Sequence, residues 1–223
     1  MQGLAAAGLE VEQDRLESAL RQATRSGLWE FEGPFEATAD ASFERIKKFD
    51  AAVLAELGHA ELADDVFRQI EAAFEQVSAW YVFPDVEPAI EALRRAGVRL
   101  GVISNWLWGA PELMHSLRLE RHFEALVISA RVGYQKPHPR IFEHALELIG
   151  VAPERAIHVG DSYAADVVGA RRVGMGAVLM ERQLDDPARV RSEHDDPQLA
   201  VVGDMFELLD LLGVERPASV GSR

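Results

Sequence analysis

The stretch His158-Val159-Gly160-Asp161-Ser162-Tyr163-Ala164-Ala165-Asp166 decides how the second half of the chain is interpreted. An apolar run ends in Gly160-Asp161, and a second carboxylate, Asp166, follows five residues after the first. Mg²⁺ is a hard cation that is usually held by one or two carboxylates together with substrate oxygens, so this spacing is compatible with a metal site at a strand end. Asp161 or Ser162 could equally cap the next helix. The stretch alone therefore predicts a strand, a turn and a helix.

Strand-like and helix-like segments alternate on both sides of this stretch, beginning at Phe83. The predicted strands are Val98–Ile103, Ala125–Ile128, Ala156–Val159, Ala177–Met180 and Ala200–Val202, and the predicted helices are Val86–Ala96, Pro111–Leu117, Pro139–Ile149, Ala164–Val173 and Met205–Leu212. Apolar strands separated by amphipathic helices are typical of a parallel sheet that is covered on both faces. The sequence therefore predicts an α/β fold with a Rossmann-like core, in which ligands bind at the carboxyl ends of the strands.

The first third of the chain has a different pattern, which predicts helices throughout. Three sets of apolar residues recur at helical spacing, and they lie at Leu16 to Ala23, Phe43 to Leu54 and Leu62 to Phe74. Three short amphipathic helices in a row are typical of a small bundle. We therefore predict a helical domain over residues 1–82, a sheet domain over residues 83–213 and a flexible tail over residues 214–223.

The composition excludes several classes of function. The chain has 37 acidic and 23 basic residues, which gives a formal net charge of −14. This charge disfavours nucleic acid and anionic membrane surfaces as partners, because both attract basic proteins. No cysteine is present, which excludes disulfides, thiol catalysis and cysteine-bound zinc. No segment has the composition of a signal peptide or a membrane span, so we predict a cytoplasmic protein; the oligomeric state is not predicted.

Two further polar clusters follow predicted strands. Ser104-Asn105 comes directly after the apolar run Gly101–Ile103, at a place where such residues commonly form a turn or a helix cap. Lys136 lies in the segment Gly133–Pro139, whose two prolines would hold the lysine on a stiff loop. An exposed lysine without function is the alternative. Neither cluster identifies a site by itself.

Three polar clusters thus follow successive strands in a fixed order. They are Ser104-Asn105, Lys136-Pro137, and Gly160-Asp161 with Asp166. In this order they resemble the motifs of the haloacid dehalogenase superfamily, and the resemblance covers about Phe83–Met180. The helical domain that precedes them is similar to the helical cap of that family. The resemblance implies a phosphatase-type hydrolase that requires Mg²⁺ and acts on a small soluble phosphorylated substrate.

The resemblance also implies a role for each motif residue. Ser104 would hydrogen-bond the transferring phosphoryl group, Asn105 would position the substrate, and Lys136 would neutralise charge between the phosphoryl group and the nucleophile. Asp161 would hold Mg²⁺, and Asp166 would support the ion directly or through water. Phosphoryl transfer depends mainly on positioning and charge stabilisation, which these residue types can supply.

The family's first motif, an Asp-x-Asp sequence at the end of the first strand, is missing from this chain. It would supply the nucleophile that forms an aspartyl-phosphate and the general acid and base. The chain begins instead with Met1–Leu9, which resembles the helix after that motif, and Phe49-Asp50 lies inside a predicted helix. We therefore expect the chain to be inactive as written and truncated at its N-terminus, with the central strand of the sheet absent.

Two alternatives stay open. A haloacid dehalogenase needs no metal and would leave Asp161 with little purpose. A non-catalytic module would keep a phosphate pocket formed by Ser104, Lys136 and the helix N-terminus after Asp161. A requirement for Mg²⁺ would separate the phosphatase from the dehalogenase, and phosphate binding without turnover would favour the module.

Overall fold

The computed structural model describes residues 4–5, 8–27 and 34–217. The chain divides into two compact units. The helical unit comprises the described residues of 1–81 together with Asn105–Arg118 and Ile128–Tyr134, and the sheet unit comprises Val82–Ser104, Leu119–Val127 and the described residues from Gln135 onward. The predicted mixed α/β class is confirmed. Residues 218–223, most of the predicted tail, lie outside the described residues.

The elements are numbered in chain order. The helices are α1 Gln13–Arg25, α2 Ala39–Glu56, α3 Asp64–Phe74, α4 Val86–Arg95, α5 Ala110–Ser116, α6 Ser129–Val132, α7 Pro139–Ile149, α8 Gly169–Arg172, α9 Pro187–Glu193 and α10 Met205–Leu211, and the strands are β1 Gly101–Ser104, β2 Ala125–Ile128, β3 Ile157–Gly160, β4 Gly176–Met180 and β5 Ala200–Val202. No helix in the described part of the chain is long and apolar enough to span a bilayer.

The helical unit contains the three predicted amphipathic helices, α1, α2 and α3. Their apolar sides form one buried cluster that includes Phe43, Leu54, Phe67 and Ile70. Helix α2 begins after Thr38, whose side chain caps it by accepting a hydrogen bond from the Ala41 amide of the first turn. Burial of this shared apolar surface is what stabilises three helices that would be marginal in isolation.

The sheet unit contains two separate sets of strands. Strand β4 pairs in parallel with β3 on one side and with β5 on the other. Strand β1 pairs with β2 in a second, two-stranded sheet. Among the described residues, no strand is hydrogen-bonded between β1 and β3.

A buried ion pair fixes the start of the sheet unit. Asp85 is buried, and its carboxylate accepts hydrogen bonds from the Arg182 guanidinium at 2.8 and 2.9 Å and from the Met205 amide at 2.8 Å. Burial alone would raise the pKa of Asp85, but the Met205 amide and the Arg182 side chain lower it. The carboxylate therefore holds the beginnings of α4 and α10 together, and Leu93 and Leu209 of these two helices lie in one buried apolar cluster.

Strand β1 begins later than its apolar pattern predicts. The sequence predicts a strand from Val98, whereas β1 begins at Gly101. Gly97 adopts a left-handed conformation with φ +80°, and the Val98 amide bonds back to the Leu93 carbonyl in α4. These residues complete the helix C-terminus and are therefore not free to join a strand.

The helix after β3 also differs from the prediction. Its first part, Tyr163–Val168, is a π-helical turn, and only Gly169–Arg172 is α-helical. At Gly169 an added Cβ would lie 2.7 Å from the Phe142 ring, so the backbone here packs directly against an aromatic side chain. Turns of the π type are frequent at functional sites, where they redirect a side chain.

Because β4 is paired on both sides and β1 on one, their main-chain amides should differ in protection. We expect Val178 and Leu179 to exchange amide hydrogen more slowly than Val102 and Ile103. Hydrogen–deuterium exchange with mass spectrometry measures this difference directly. Equal protection in both strands would contradict the division of the sheet described above.

Gly160 should be intolerant of any side chain. A Cβ at this position would overlap the Asp166 carboxylate, which is buried. Gly160→Ala should therefore lower the free energy of unfolding by on the order of 3 kcal/mol, because a buried charge would lose its partners. The matched control is Gly203→Ala after β5, where a Cβ meets side chains only at the ordinary distance of 3.5 Å. Chemical denaturation compares them, and equal stability of the two variants would show that Asp166 can move without cost.

Candidate active site

The lysine predicted from sequence lies between the ends of two strands. The Lys136 ammonium donates to the main-chain carbonyl of Ile103 in β1 at 2.9 Å and to Asp166 Oδ1 at 2.6 Å. Ile103 immediately precedes Ser104, the last residue of β1. One ammonium group thus joins the carboxyl end of β1 to the turn that follows β3, which is where ligands bind in open parallel sheets.

Asp166 is held by three groups at once. Its side chain is 2% exposed, and besides Lys136 it accepts hydrogen bonds from His158 Nε2 at 2.8 Å and from the Ser162 amide at 2.9 Å. Burial alone would raise its pKa, but the hydrogen bond from His158 and the charge and hydrogen bond of Lys136 together bring that pKa well below the usual range. Asp166 is therefore a fixed anion that orients the Lys136 ammonium.

His158 belongs to this cluster and was not predicted from sequence. It lies in β3, is 9% exposed, and stands edge-on to the Phe142 ring with a centroid separation of 5.3 Å. The available signal was a polar residue inside an otherwise apolar strand, since a buried polar side chain needs a hydrogen-bond partner. Its partner is a carboxylate eight residues later, which only the fold identifies.

The remaining predicted residues occupy different positions. Asp161 directly follows β3 and is exposed to solvent. Ser104, Lys136 and Asp161 belong to the sheet unit. Asn105, the next residue after Ser104, belongs to the helical unit. The structure thus brings together Lys136, Asp166 and the end of β1, and it places Asp161 at the neighbouring strand end.

The carboxylates fit a Mg²⁺ ion only in part. Among the described residues, no group of three metal-ligating side chains is present. Asp161 is an accessible oxygen ligand at a strand end, but Asp166 is buried and already engaged by three donors. Mg²⁺ commonly uses one or two carboxylates and takes its other oxygens from water and substrate phosphate. The chemistry of the site is therefore compatible with Mg²⁺ held by Asp161, and Asp166, whose predicted support of the ion stays a prediction, also orients Lys136.

No described aspartate occupies the position of a nucleophile at the end of an earlier strand, because β1 is the first strand that the structure describes. Asp50 lies within α2, as its sequence context predicts, and it is part of the helical unit. The described residues therefore place a lysine and two aspartates near the ends of β1 and β3, and they include no aspartate at the end of an earlier strand.

Comparison with known proteins identifies the family. The model of haloacid dehalogenase-like hydrolases matches residues 4–174. The human haloacid dehalogenase-like hydrolase domain-containing protein 3 is 34% identical over 86% of this chain and 79% of its own length. A phosphoserine phosphatase of Thermus thermophilus is 37% identical over 62% of this chain and 54% of its own length.

A solved structure adds fold-level support. The crystal structure of a HAD phosphatase from Thermococcus onnurineus is 25% identical to this chain, with a TM-score of 0.59, and the match covers 89% of this chain and 94% of that one. This likeness supports the α/β fold described above. This chain belongs to the haloacid dehalogenase-like hydrolases.

Proposed function

We propose that this protein is a Mg²⁺-dependent phosphatase for a small phosphomonoester. The observation that carries the proposal is the Lys136–Asp166 ion pair between the ends of β1 and β3. A fixed ammonium at that edge of the sheet is suited to a phosphoryl group, which concentrates negative charge on its oxygens. The similarity to a phosphoserine phosphatase supports this substrate class over a halide-bearing acid.

Each residue contributes by position and charge. The Ser104 hydroxyl, at the end of β1, would donate a hydrogen bond to a phosphoryl oxygen, and Asn105 would orient the substrate beside it. Lys136 would lie against the same phosphoryl group, with its direction fixed by Asp166 and, through Asp166, by His158. Asp161 would hold Mg²⁺, which when bound adds positive charge that stabilises the transferring group.

The proposal includes a limit on turnover. Hydrolysis through an aspartyl-phosphate needs a carboxylate nucleophile close to Lys136, and no described aspartate takes that place before β1. We therefore propose that the 223-residue chain binds phosphate in the presence of Mg²⁺ but hydrolyses phosphomonoesters poorly. Phosphate binding and hydrolysis are measured separately for this reason.

The first experiment is a calorimetric titration of inorganic phosphate into the chain with Mg²⁺. Lys136→Met should weaken binding at least tenfold, because it removes the cation that faces the anion. Lys48→Met is the matched control, since Lys48 is one of only two other lysines and is exposed on α2. Equal affinity in wild type and Lys136→Met would refute the phosphate site.

A second variant protects this test from a folding defect, because Lys136→Met leaves the buried Asp166 without its cation. Asp161→Asn changes an exposed side chain and should leave the far-ultraviolet circular dichroism spectrum intact. In Asp161→Asn, the affinity for phosphate should be the same with and without Mg²⁺. In wild type, removal of Mg²⁺ with EDTA should lower the affinity for phosphate to that of the variant. Phosphate binding that is indifferent to both changes would exclude the metal.

Hydrolysis is then assayed with phosphoserine and other small phosphomonoesters. Slow or absent release of phosphate, together with binding, is the expected result for this chain. Rapid release that is lost in Asp161→Asn would show that another carboxylate serves as nucleophile. Release of halide from a 2-haloacid without Mg²⁺ would favour a dehalogenase instead.

A further inference from the structure

Two aromatic side chains, Tyr163 and His194, stack face to face in the sheet unit. Their rings are nearly parallel, with an interplanar angle of 5° and a centroid separation of 4.0 Å. Tyr163 is the first residue of the π-helical turn and comes two residues after Asp161, whereas His194 directly follows α9. The stack therefore joins the loop after β3 to the segment that connects β4 with β5.

Two further contacts hold the Tyr163 side chain in this place. Its hydroxyl donates a hydrogen bond to Asp196 Oδ2 at 3.3 Å, and the same carboxylate pairs with Arg171. The Arg171 guanidinium holds the pKa of Asp196 below its usual range, so the tyrosine hydroxyl donates to an anion. The Tyr163 ring also packs against the buried apolar cluster that contains Val190 of α9. Three kinds of interaction thus fix this side chain.

The main chain around Asp161 is attached on both sides. Gly160, the residue before it, is paired with β4. Ser162, the residue after it, donates its amide to Asp166 Oδ2 at 2.9 Å. The next residue, Tyr163, is attached through its side chain to the segment that follows α9. Asp161 is therefore the one residue of this short loop that faces solvent between fixed neighbours.

The segment around α9 contributes little apolar surface of its own. Val190 is the only buried residue of the helix, so burial of an apolar side does not account for its position. His194 and Asp196, which follow the helix, are the two residues that stack on Tyr163 and accept its hydrogen bond. This segment therefore acts on the loop after β3 through one tyrosine side chain.

We propose that Tyr163 is a positioning residue, held by His194 and Asp196, that fixes the Asp161 carboxylate for Mg²⁺. This inference rests on the proposed function, in which Asp161 holds the ion. A ligand that is already fixed binds a metal more tightly than a mobile one, because less conformational freedom is lost on binding. The demand is strict for Mg²⁺, which requires nearly ideal octahedral geometry. Loosening Tyr163 should weaken Mg²⁺ binding although Tyr163 is not itself a ligand.

The test measures the loop and the metal separately. Hydrogen–deuterium exchange of the metal-free chain reports the freedom of residues 160–165, and the shift of the Asp161 amide signal during titration with Mg²⁺ alone reports the affinity for the ion. His194→Ala should speed exchange in this segment. It should also weaken Mg²⁺ binding about tenfold, the lower end of the loss that is usual when the support of a metal ligand is removed. An unchanged affinity for Mg²⁺ in His194→Ala would overturn the proposal.

Further variants separate the stack from a general loss of stability. His194→Phe keeps a flat ring against Tyr163, so it should restore the exchange rate and bring the affinity for Mg²⁺ to within about twofold of wild type. The double variant of Tyr163→Ala and His194→Ala should bind Mg²⁺ no more weakly than Tyr163→Ala, because the second change removes a contact that is already lost. The matched control is His144→Ala, an exposed histidine on α7, which should change neither measurement. Failure of His194→Phe to restore Mg²⁺ binding would contradict a role for the stacked ring.

Failure of this inference is distinguishable from failure of the proposed function. If wild type itself shows no Mg²⁺ binding at Asp161, the Mg²⁺-dependent phosphatase is refuted, and the positioning role falls with it. If wild type, Tyr163→Ala and His194→Ala bind Mg²⁺ equally, only the positioning role is refuted. Exchange that is as slow in His194→Ala as in wild type would show, with or without a metal, that the stack does not hold the loop.

Discussion

The buried anion at Asp166 is the constraint on which the rest of the sheet unit depends. A carboxylate that is 2% exposed is tolerated only if its charge and its oxygens are matched by donors, and here Lys136, His158 and the Ser162 amide supply them. These three donors come from the loop before α7, from β3 and from the turn after it. One side chain thereby fixes the relative position of three segments whose strand ends form the candidate site.

The same anion explains local features that have no other evident purpose. Gly160 leaves space for the Asp166 carboxylate, which a Cβ there would overlap. Lys136, once directed by Asp166, also satisfies the main-chain carbonyl of Ile103, a polar group of β1 that would otherwise need water. The Lys136 ammonium therefore stabilises the fold and is also the cation that an anionic ligand would meet. A substitution of Lys136 should affect both stability and ligand binding.

The sequence predicted what local patterns determine. The bounds of β2, β5 and α7 agree with the apolar runs, and Pro139 begins α7 as predicted. Helix α9 was missed because only Val190 of its residues is buried, so it has no apolar side to detect. His158 was missed because its role depends on Asp166, a partner that only folding brings close.

The pKa values of two buried aspartates, Asp166 and Asp50, shift in opposite directions in this chain. Both are withdrawn from water, yet cationic and hydrogen-bonding partners lower the pKa of Asp166, whereas burial without a paired cation raises the pKa of Asp50 to about 7. The first carboxylate has its interactions complete and acts by positioning Lys136. The second has no such cationic partner among the described residues, and burial, with the nearby Glu71, destabilises its charged form.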